Sequence, residues 1–373
     1  MANFANGQEI IQAFERFSPK SYAVEGDKIG LQIGTLNKKV KKIMIALDVL
    51  EEVVDEAIDE EVDLIIAHHP ILFRPLKQLV TDEGQGKLVA KLVKHDITVY
   101  AAHTNLDVAK GGVNDLMAEA LGLQETDVLV PTYEDPLKKI VVFVPEEQAD
   151  RVRQAIGDAG AGHIGNYSHC SFNTPGTGMF LPGEGTDPFI GKQGEIEHVN
   201  EVKVETIVPK SQVNKVLRAM LKAHPYEEPA YDIYPLENTG EVLGLGRVGK
   251  LDQAMTLKEF AEHVKQAFDV KGLRVVGNLD NKIQKVALLG GDGNKYWKNA
   301  KFKGADVYVT GDMYYHVAHD AMMEGLNIVD PGHNVEKVMK DGVRKVLQSF
   351  LDEKKYATEV IASKPNTDPF TFL

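Results

Sequence analysis

The feature that most constrains this chain is a strand–helix–strand run that occurs twice with the same spacing. From residue 43 the sequence reads "IMIALD", then "VLEEVVDEAIDEE", then "VDLIIAHH". In the middle piece Val49, Leu50, Val53, Val54, Ala57 and Ile58 recur with the 3.6-residue period of a helix packed on a sheet. "GKLVAKLVKH" reads as a further helix and "DITVYAAH" as a strand. The same grammar returns as "KVALLGGD", "GNKYWKNAKFKG", "ADVYVTGD", "VAHDAMMEG" and "LNIVDPGH". Ile43 and Val286 lie 243 positions apart, and so do Asp63 and Asp306. Alternating strands and helices of this kind predict an α/β fold. We read residues 1–128 and 237–373 as two related halves of one doubly wound α/β domain.

The segment between the halves, 129–236, has different habits. "FVPEEQADRVRQAI" and "IVPKSQVNKVLRAM" share a strand, a Val-Pro step and a helix, offset by 64 residues. Each proline suits the first turn of the helix that follows. With the strands "HCSF", "VNEVKVETI" and "PAYDIYPL", the order becomes β-α-β-β-α-β, a ferredoxin-like layout. The Gly/Pro-rich stretch 173–195 is too long for a hairpin turn and reads as a long, partly mobile excursion. The segment is expected to be an inserted domain with its own core.

The candidate chemistry sits at strand ends. His68 and His69 close an apolar run and are followed at once by Pro70, which biases His69 away from helix. Asp107 follows the next strand, in "AAHTNLD". His333 and Glu336 follow the matching strand of the second half, in "DPGHNVE". Strand ends in a doubly wound sheet share one edge, where loops converge. Three imidazoles and two carboxylates make a mixed N/O donor set, suited to zinc, manganese, iron or nickel rather than magnesium or calcium. Five donors exceed the needs of one tetrahedral zinc. Two divalent ions per chain, zinc first among them, use the donors better, with Glu336 as the bridging carboxylate.

Composition narrows the rest. The 373-residue chain is 43% apolar and carries 55 acidic against 42 basic residues, a formal charge of −13. No Lys/Arg block stands out, which argues against phosphate-led binding of nucleic acid. The lone Cys170 excludes an intrachain disulfide and a thiolate metal cage. No basic-then-apolar leader opens the sequence and no run reaches membrane-spanning length. The expectation is a cytoplasmic protein with no membrane partner.

These motifs together carry a resemblance. "SPKSYAVEGDKIGLQIG", "DLIIAHHP", "AAHTNLD", "TGDMYYHVAHDA" and "DPGHNVEK" make the chain similar, over its whole length, to a dinuclear-metal-centre family. Its members are the GTP cyclohydrolase I type 2 homologues, also called NGG1-interacting-factor-like proteins. The resemblance implies metal ligands at His68, His69, Asp107, His333 and Glu336, a ring-shaped homohexamer, and an insert like the PII-like modules of longer members. Members often carry Trp-Asp-Asn where this chain has Gly26, Asp27 and Lys28, so the resemblance does not carry the family's substrate contacts over to these positions.

Other residues carry weaker signals. His103 has two open readings: a proton shuttle beside the ligands, or a strand-end imidazole satisfied by backbone. His319 could face the site, with a helix-surface position the better fit. "GGDG" (290–293) lacks the Lys-Ser/Thr of a P-loop and reads as a tight turn. Asp312 occupies the register position of His69 and reads as a vestige of a lost site. "HPYEEPAYDIY" (224–234) reads as packing rather than a ligand site. Two functions follow from the donor set and the resemblance. One is a metal-dependent hydrolase in which metal-bound hydroxide opens the purine ring of GTP, with a nucleotide or other small molecule as substrate. The other is a metal-binding regulatory or metal-handling protein with a small-molecule-sensing insert.

Overall fold

The computed structural model describes residues 3–373. The chain begins α1 (Gly7–Phe17), β1 (Gly30–Ile33), β2 (Lys42–Ala46), α2 (Glu51–Asp59), β3 (Leu64–Ala67) and α3 (Gly84–Lys94). It continues β4 (Thr98–Ala101), α4 (Thr104–Val108), α5 (Val113–Ala120) and β5 (Gln124–Asp135). Next come β6 (Leu137–Pro145), α6 (Ala149–Asp158), β7 (Phe172–Phe180), β8 (Glu197–Pro209), α7 (Val213–Ala223) and β9 (Tyr231–Pro235). The remainder is β10 (Glu241–Thr256), α8 (Leu257–Ala267), β11 (Arg274–Val276), β12 (Lys282–Asp292), α9 (Trp297–Phe302), β13 (Val307–Gly311), α10 (Tyr315–Met323), β14 (Asn327–Asp330), α11 (Met339–Glu353) and β15 (Glu359–Ala362). Among the described residues, no helix is long and apolar enough to cross a membrane.

Two compact units result. One comprises the chain up to Tyr133 together with Leu243–Leu373; the other is Glu134–Val242. The chain leaves the first unit later than the 128/129 boundary expected from sequence, because β5 and β10 are neighbours in one of its sheets.

The first unit is α/β and holds two sheets, ordered β1-β4-β3-β2-β15 and β11-β14-β13-β12-β10-β5. The parallel pairs β2–β3 and β12–β13 have matching register, Ile43 opposite Leu64 and Val286 opposite Val307. This is the 243-residue offset seen in the sequence, now expressed as strand pairing. The C-terminal β15 adds to the first half's sheet beside β2.

Strands buried on both faces read as continuous apolar runs, because each alternate side chain meets a helix. Ile43, Ile45, Leu64 and Ile66 enter a core shared with Val286, Leu288, Val307 and Val309 and with helices α1, α5, α8 and α11. Met44, Ala46, Ile65 and Ala67 face the other way, toward α2 and α3. On the second sheet Ala287, Leu289, Tyr308 and Ile328 pack against α9 and α10. Each fully buried Ile or Leu contributes about 1.5–3 kcal/mol, so the shared core fixes how the two sheets present their strand ends. Two capping boxes start helices on cue, Asn6 with Glu9 for α1 and Thr256 with Glu259 for α8.

The second unit is a four-stranded antiparallel sheet ordered β7-β8-β6-β9, with α6 and α7 packed on one face. Its elements follow in β-α-β-β-α-β order. The stretch read as an excursion from 173 onward is in part a strand. Residues 172–180 pair with β8 at nine consecutive positions. Pro175 is tolerated there because β7 is an edge strand and one missing N–H breaks no ladder on its outer side. Tyr226, Glu227, Glu228 and Ala230, from the segment read as packing, line a cavity of about 600 Å³ in this unit.

Candidate metal centre

The first unit brings the sequence-predicted donors together. Ladder hydrogen bonds run just past β3: His68 N–H donates to the Ala46 carbonyl and His69 N–H to that of Leu47. The two rings nonetheless lie side by side, with ring centres 5.0 Å apart. Asp107 comes from α4, the short helix that follows β4, and is buried. His333 and Glu336 lie on the 3-10 turn His333–Val338 after β14, three residues apart and so on the same side of it.

Each ring is turned by a partner on its Nδ1. His68 Nδ1 lies 2.9 Å from the Ala102 carbonyl, His69 Nδ1 2.6 Å from Asp48 Oδ1, and His333 Nδ1 2.7 Å from Asp312 Oδ2. An acceptor at Nδ1 puts the proton there and leaves the Nε2 lone pair to ligate. All three Nε2 atoms converge on Glu336 Oε2, at 3.5 Å from His68, 3.0 Å from His69 and 3.2 Å from His333. Asp107 Oδ1 is 3.6 Å from His68 Nε2.

Two of these atoms are anomalous without a further partner. His68 Nε2 and Asp107 Oδ1 are buried and form no hydrogen bond, and 3.6 Å is too long for one. A buried unsatisfied polar group costs about 1–3 kcal/mol. A cation beside both atoms would remove that cost. The donors form two triads, His69–His333–Glu336 and His68–Asp107–Glu336, each with its ligand atoms within 4.8 Å of one another and both using Glu336. The residues present therefore fit a divalent ion, and their N/O chemistry is that of a borderline transition metal.

Electrostatics agree with a site prepared for cations. Burial would raise the Glu336 carboxyl, but the imidazoles around it, His68 first, hold it well below the usual carboxylate range. Burial opposes a charge on His69, yet the hydrogen bonds to Asp48 and Glu336 push its pKa up to about 10. His333, similarly buried and bonded to Glu336 and Asp312, is raised to about 9. Asp107 has no hydrogen bond at Oδ1, so burial and then the Glu336 charge raise it, against the pull of His68.

Glycines make room for the cluster. A Cβ at Gly291 would stand 2.8 Å from Glu336 Oε1 and 3.1 Å from His333 Nε2, and its φ of +67° already favours glycine. The "GGDG" run is thus a close approach of backbone to the donors rather than only a turn. The Asp312 carboxylate orients His333. Asp48 does the same for His69 and was missed in the sequence, where a strand-end "ALD" has no distinguishing mark.

The weaker candidates separate. His103 joins the cluster: its ligand atom falls with those of His68 and His69 within 4.8 Å, and its Nδ1 is 2.8 Å from Asp27 Oδ1. Asp27 also accepts from the Thr104 backbone N–H and hydroxyl. The "GDK" segment thereby reaches the site through Asp27. His319 does not join. It stands against Tyr315 and lines a different cavity, with Arg274 and Met313. The donor cluster opens into a cavity of about 750 Å³ walled by Phe73, Leu245, Leu289, Tyr296 and Phe370.

Fold and site together define an α/β protein with a buried imidazole–carboxylate cluster able to hold a metal ion. Residues 5–369 match the Duf34/NIF3 (NGG1p interacting factor 3) family, and the chain belongs to it. A Halalkalibacterium halodurans relative named GTP cyclohydrolase 1 type 2 homolog is 64% identical over 369 residues, 99% of each chain. A Bacillus subtilis relative of the same name is 64% identical over the full length of both. The crystal structure of a Bacillus cereus protein related to NIF3 superposes with a TM-score of 0.95 at 64% identity, covering 100% of both chains. A Staphylococcus aureus structure matches with a TM-score of 0.78 at 32% identity, covering 99% of both.

Proposed function

We propose that the chain is a metal-dependent hydrolase of the kind its relatives' name denotes, opening the purine ring of GTP. His68, His69, Asp107, His333 and Glu336 would hold two divalent ions, zinc first, with Glu336 shared. The observation that carries the reading is the buried pair His68 Nε2 and Asp107 Oδ1, unpartnered beside a carboxylate common to two triads. Such ions supply Lewis acidity and lower the proton affinity of water at neutral pH. The protein's own residues do the rest. Asp48 and Asp312 hold two rings in place through Nδ1. His103, anchored at Nδ1 by Asp27, presents Nε2 as the group to take up or return a proton. The apolar cavity walls suit a flat aromatic base, and about 750 Å³ lies within the range of small-molecule sites.

The test is formate release from GTP by metal-loaded protein across about pH 6 to 9, abolished in Asp107→Ala. No formate at any pH removes the cyclohydrolase reading.

A second reading, a metal-binding regulator with a ligand-sensing insert, is supported by the cavity of the second unit. Phe143, Phe180, Phe189 and Tyr226 line it, with Glu201 bonded to the Tyr226 hydroxyl at 3.0 Å. A PII-like insert and a cytoplasmic homohexamer belong to both readings. The exposed Phe302, Tyr315 and Met323 support burial against another copy, which light scattering would detect.

A further inference from the structure

Next to the metal cavity lies a second, smaller one of about 340 Å³. The two share the walls Leu47, Asn334, Thr367, Asp368 and Phe370. The tail segment supplying three of these is tied to the metal centre, because the Thr367 hydroxyl donates to Asp48, the carboxylate that holds His69.

The smaller cavity is lined by Lys271, Lys337, Lys340 and Lys364. In a chain of net charge −13, most such cations would be expected to find a carboxylate. Lys364 does, at 3.3 Å from Glu60. Among the described residues the other three form no ion pair. Lys337 donates to the Asp269 carbonyl at 3.0 Å and Lys340 to the Ser363 carbonyl at 2.8 Å, both neutral acceptors. Among the described residues Lys271 has no partner of either kind. Asp269 and Asp368 also line the pocket but stand beyond ion-pair distance of these ammoniums. Lys337 and Lys340 are three residues apart, on the turn and helix that follow His333 and Glu336, and both line the smaller cavity. Burial, then the neighbouring Lys337 charge, lower the Lys340 pKa, against the pull of Glu56, Asp341 and Asp48.

We propose that this pocket binds phosphate groups, and that they belong to the substrate whose other end lies in the metal cavity. Lysines bind phosphate as point charges through charge-assisted hydrogen bonds. The volume is roughly ten times the ~30 Å³ of one water, enough for a phosphate chain. Phe370, on the shared wall, is placed to meet the ribose or base between the two ends. The substrate assignment rests on reading the larger cavity as a substrate site; the phosphate site itself does not depend on turnover.

The test is calorimetric binding of inorganic phosphate to the full chain, metal-loaded and chelator-treated. Binding should survive chelation and weaken about tenfold in Lys271→Gln and in Lys340→Gln, with metal content unchanged in the loaded protein. GTP should displace the phosphate and guanosine should not. Unchanged affinity in Lys271→Gln, whose side chain holds nothing else together, would overturn the site even if Lys340→Gln failed to fold. Loss of all phosphate binding on chelation would also overturn it, placing the anion on the metals. Phosphate displaced by neither competitor would overturn the substrate assignment and leave a site for free phosphate. Formate assays report separately: binding without formate retains this pocket and removes the hydrolase reading, and formate without binding does the reverse.

Discussion

Glu336 Oε2 lies 3.0 Å from His69 Nε2, although 267 residues separate the two in sequence. That contact joins a strand end of one sheet to the turn after β14 in the other. Everything proposed for the centre depends on the two sheets of one unit meeting there.

Asn114 is one of the clamps that keep them together. Its Nδ2 donates to the Asp107 carbonyl at 3.0 Å and its Oδ1 accepts from Gly290 N–H at 2.9 Å, and the side chain is buried. Asn114→Ala leaves both groups unpaired. Chemical denaturation should show a loss of about 2–6 kcal/mol, at about 1–3 kcal/mol for each orphaned group. A change under about 0.5 kcal/mol would mean that water replaces the clamp.

Orientation of the rings can be tested without touching a donor. Asp48→Asn and Asp312→Asn keep shape but remove the charge behind His69 and His333. Metal affinity, followed by competition with a chelating dye, should fall about 10–100-fold in each. Equal affinities in variants and parent would assign the two aspartates to packing alone.

Metal binding should release protons. His69 and His333, with pKa values pushed up to about 10 and about 9, carry protons at pH 7 in the metal-free protein. A ligating Nε2 must be free of its proton, so uptake of ions expels about two protons and affinity rises with pH, by up to about 100-fold per unit near neutrality. Calorimetry in buffers of different ionisation enthalpy counts those protons. A count of zero would contradict the electrostatic picture.

Much of this was legible in the sequence, and the limits have physical causes. The five donors stand at strand exits, where apolar periodicity breaks into His and carboxylate, so they could be picked out. The 243-residue offset anticipated the register of two strand pairs because buried parallel strands write their pairing into apolar runs. Asp48, Asp312 and Asp27 were not identified as orienting groups, since a carboxylate that holds an imidazole differs from a solvated one only in three-dimensional context. β7 was hidden because an edge strand tolerates the Gly and Pro that normally mark loops. His319 sits on the helix surface, the position its sequence context favoured, with its ring against Tyr315.

The segment Glu134–Val242 should be removable. Gly244 packs against the Val130 carbonyl, so the two strands that flank the segment run side by side. Joining Tyr133 to Leu243 through a short Gly/Ser linker should leave a cooperative thermal transition and unchanged metal content. Loss of both would show that the first unit cannot fold without the second.

The central claim is that His68, His69, Asp107, His333 and Glu336 hold metal, and elemental analysis of protein purified without chelator tests it most directly. The account predicts about two divalent ions per chain, with at least one lost in His68→Ala and in Glu336→Gln while both variants remain folded. Parent protein and both variants carrying the same metal content would contradict it.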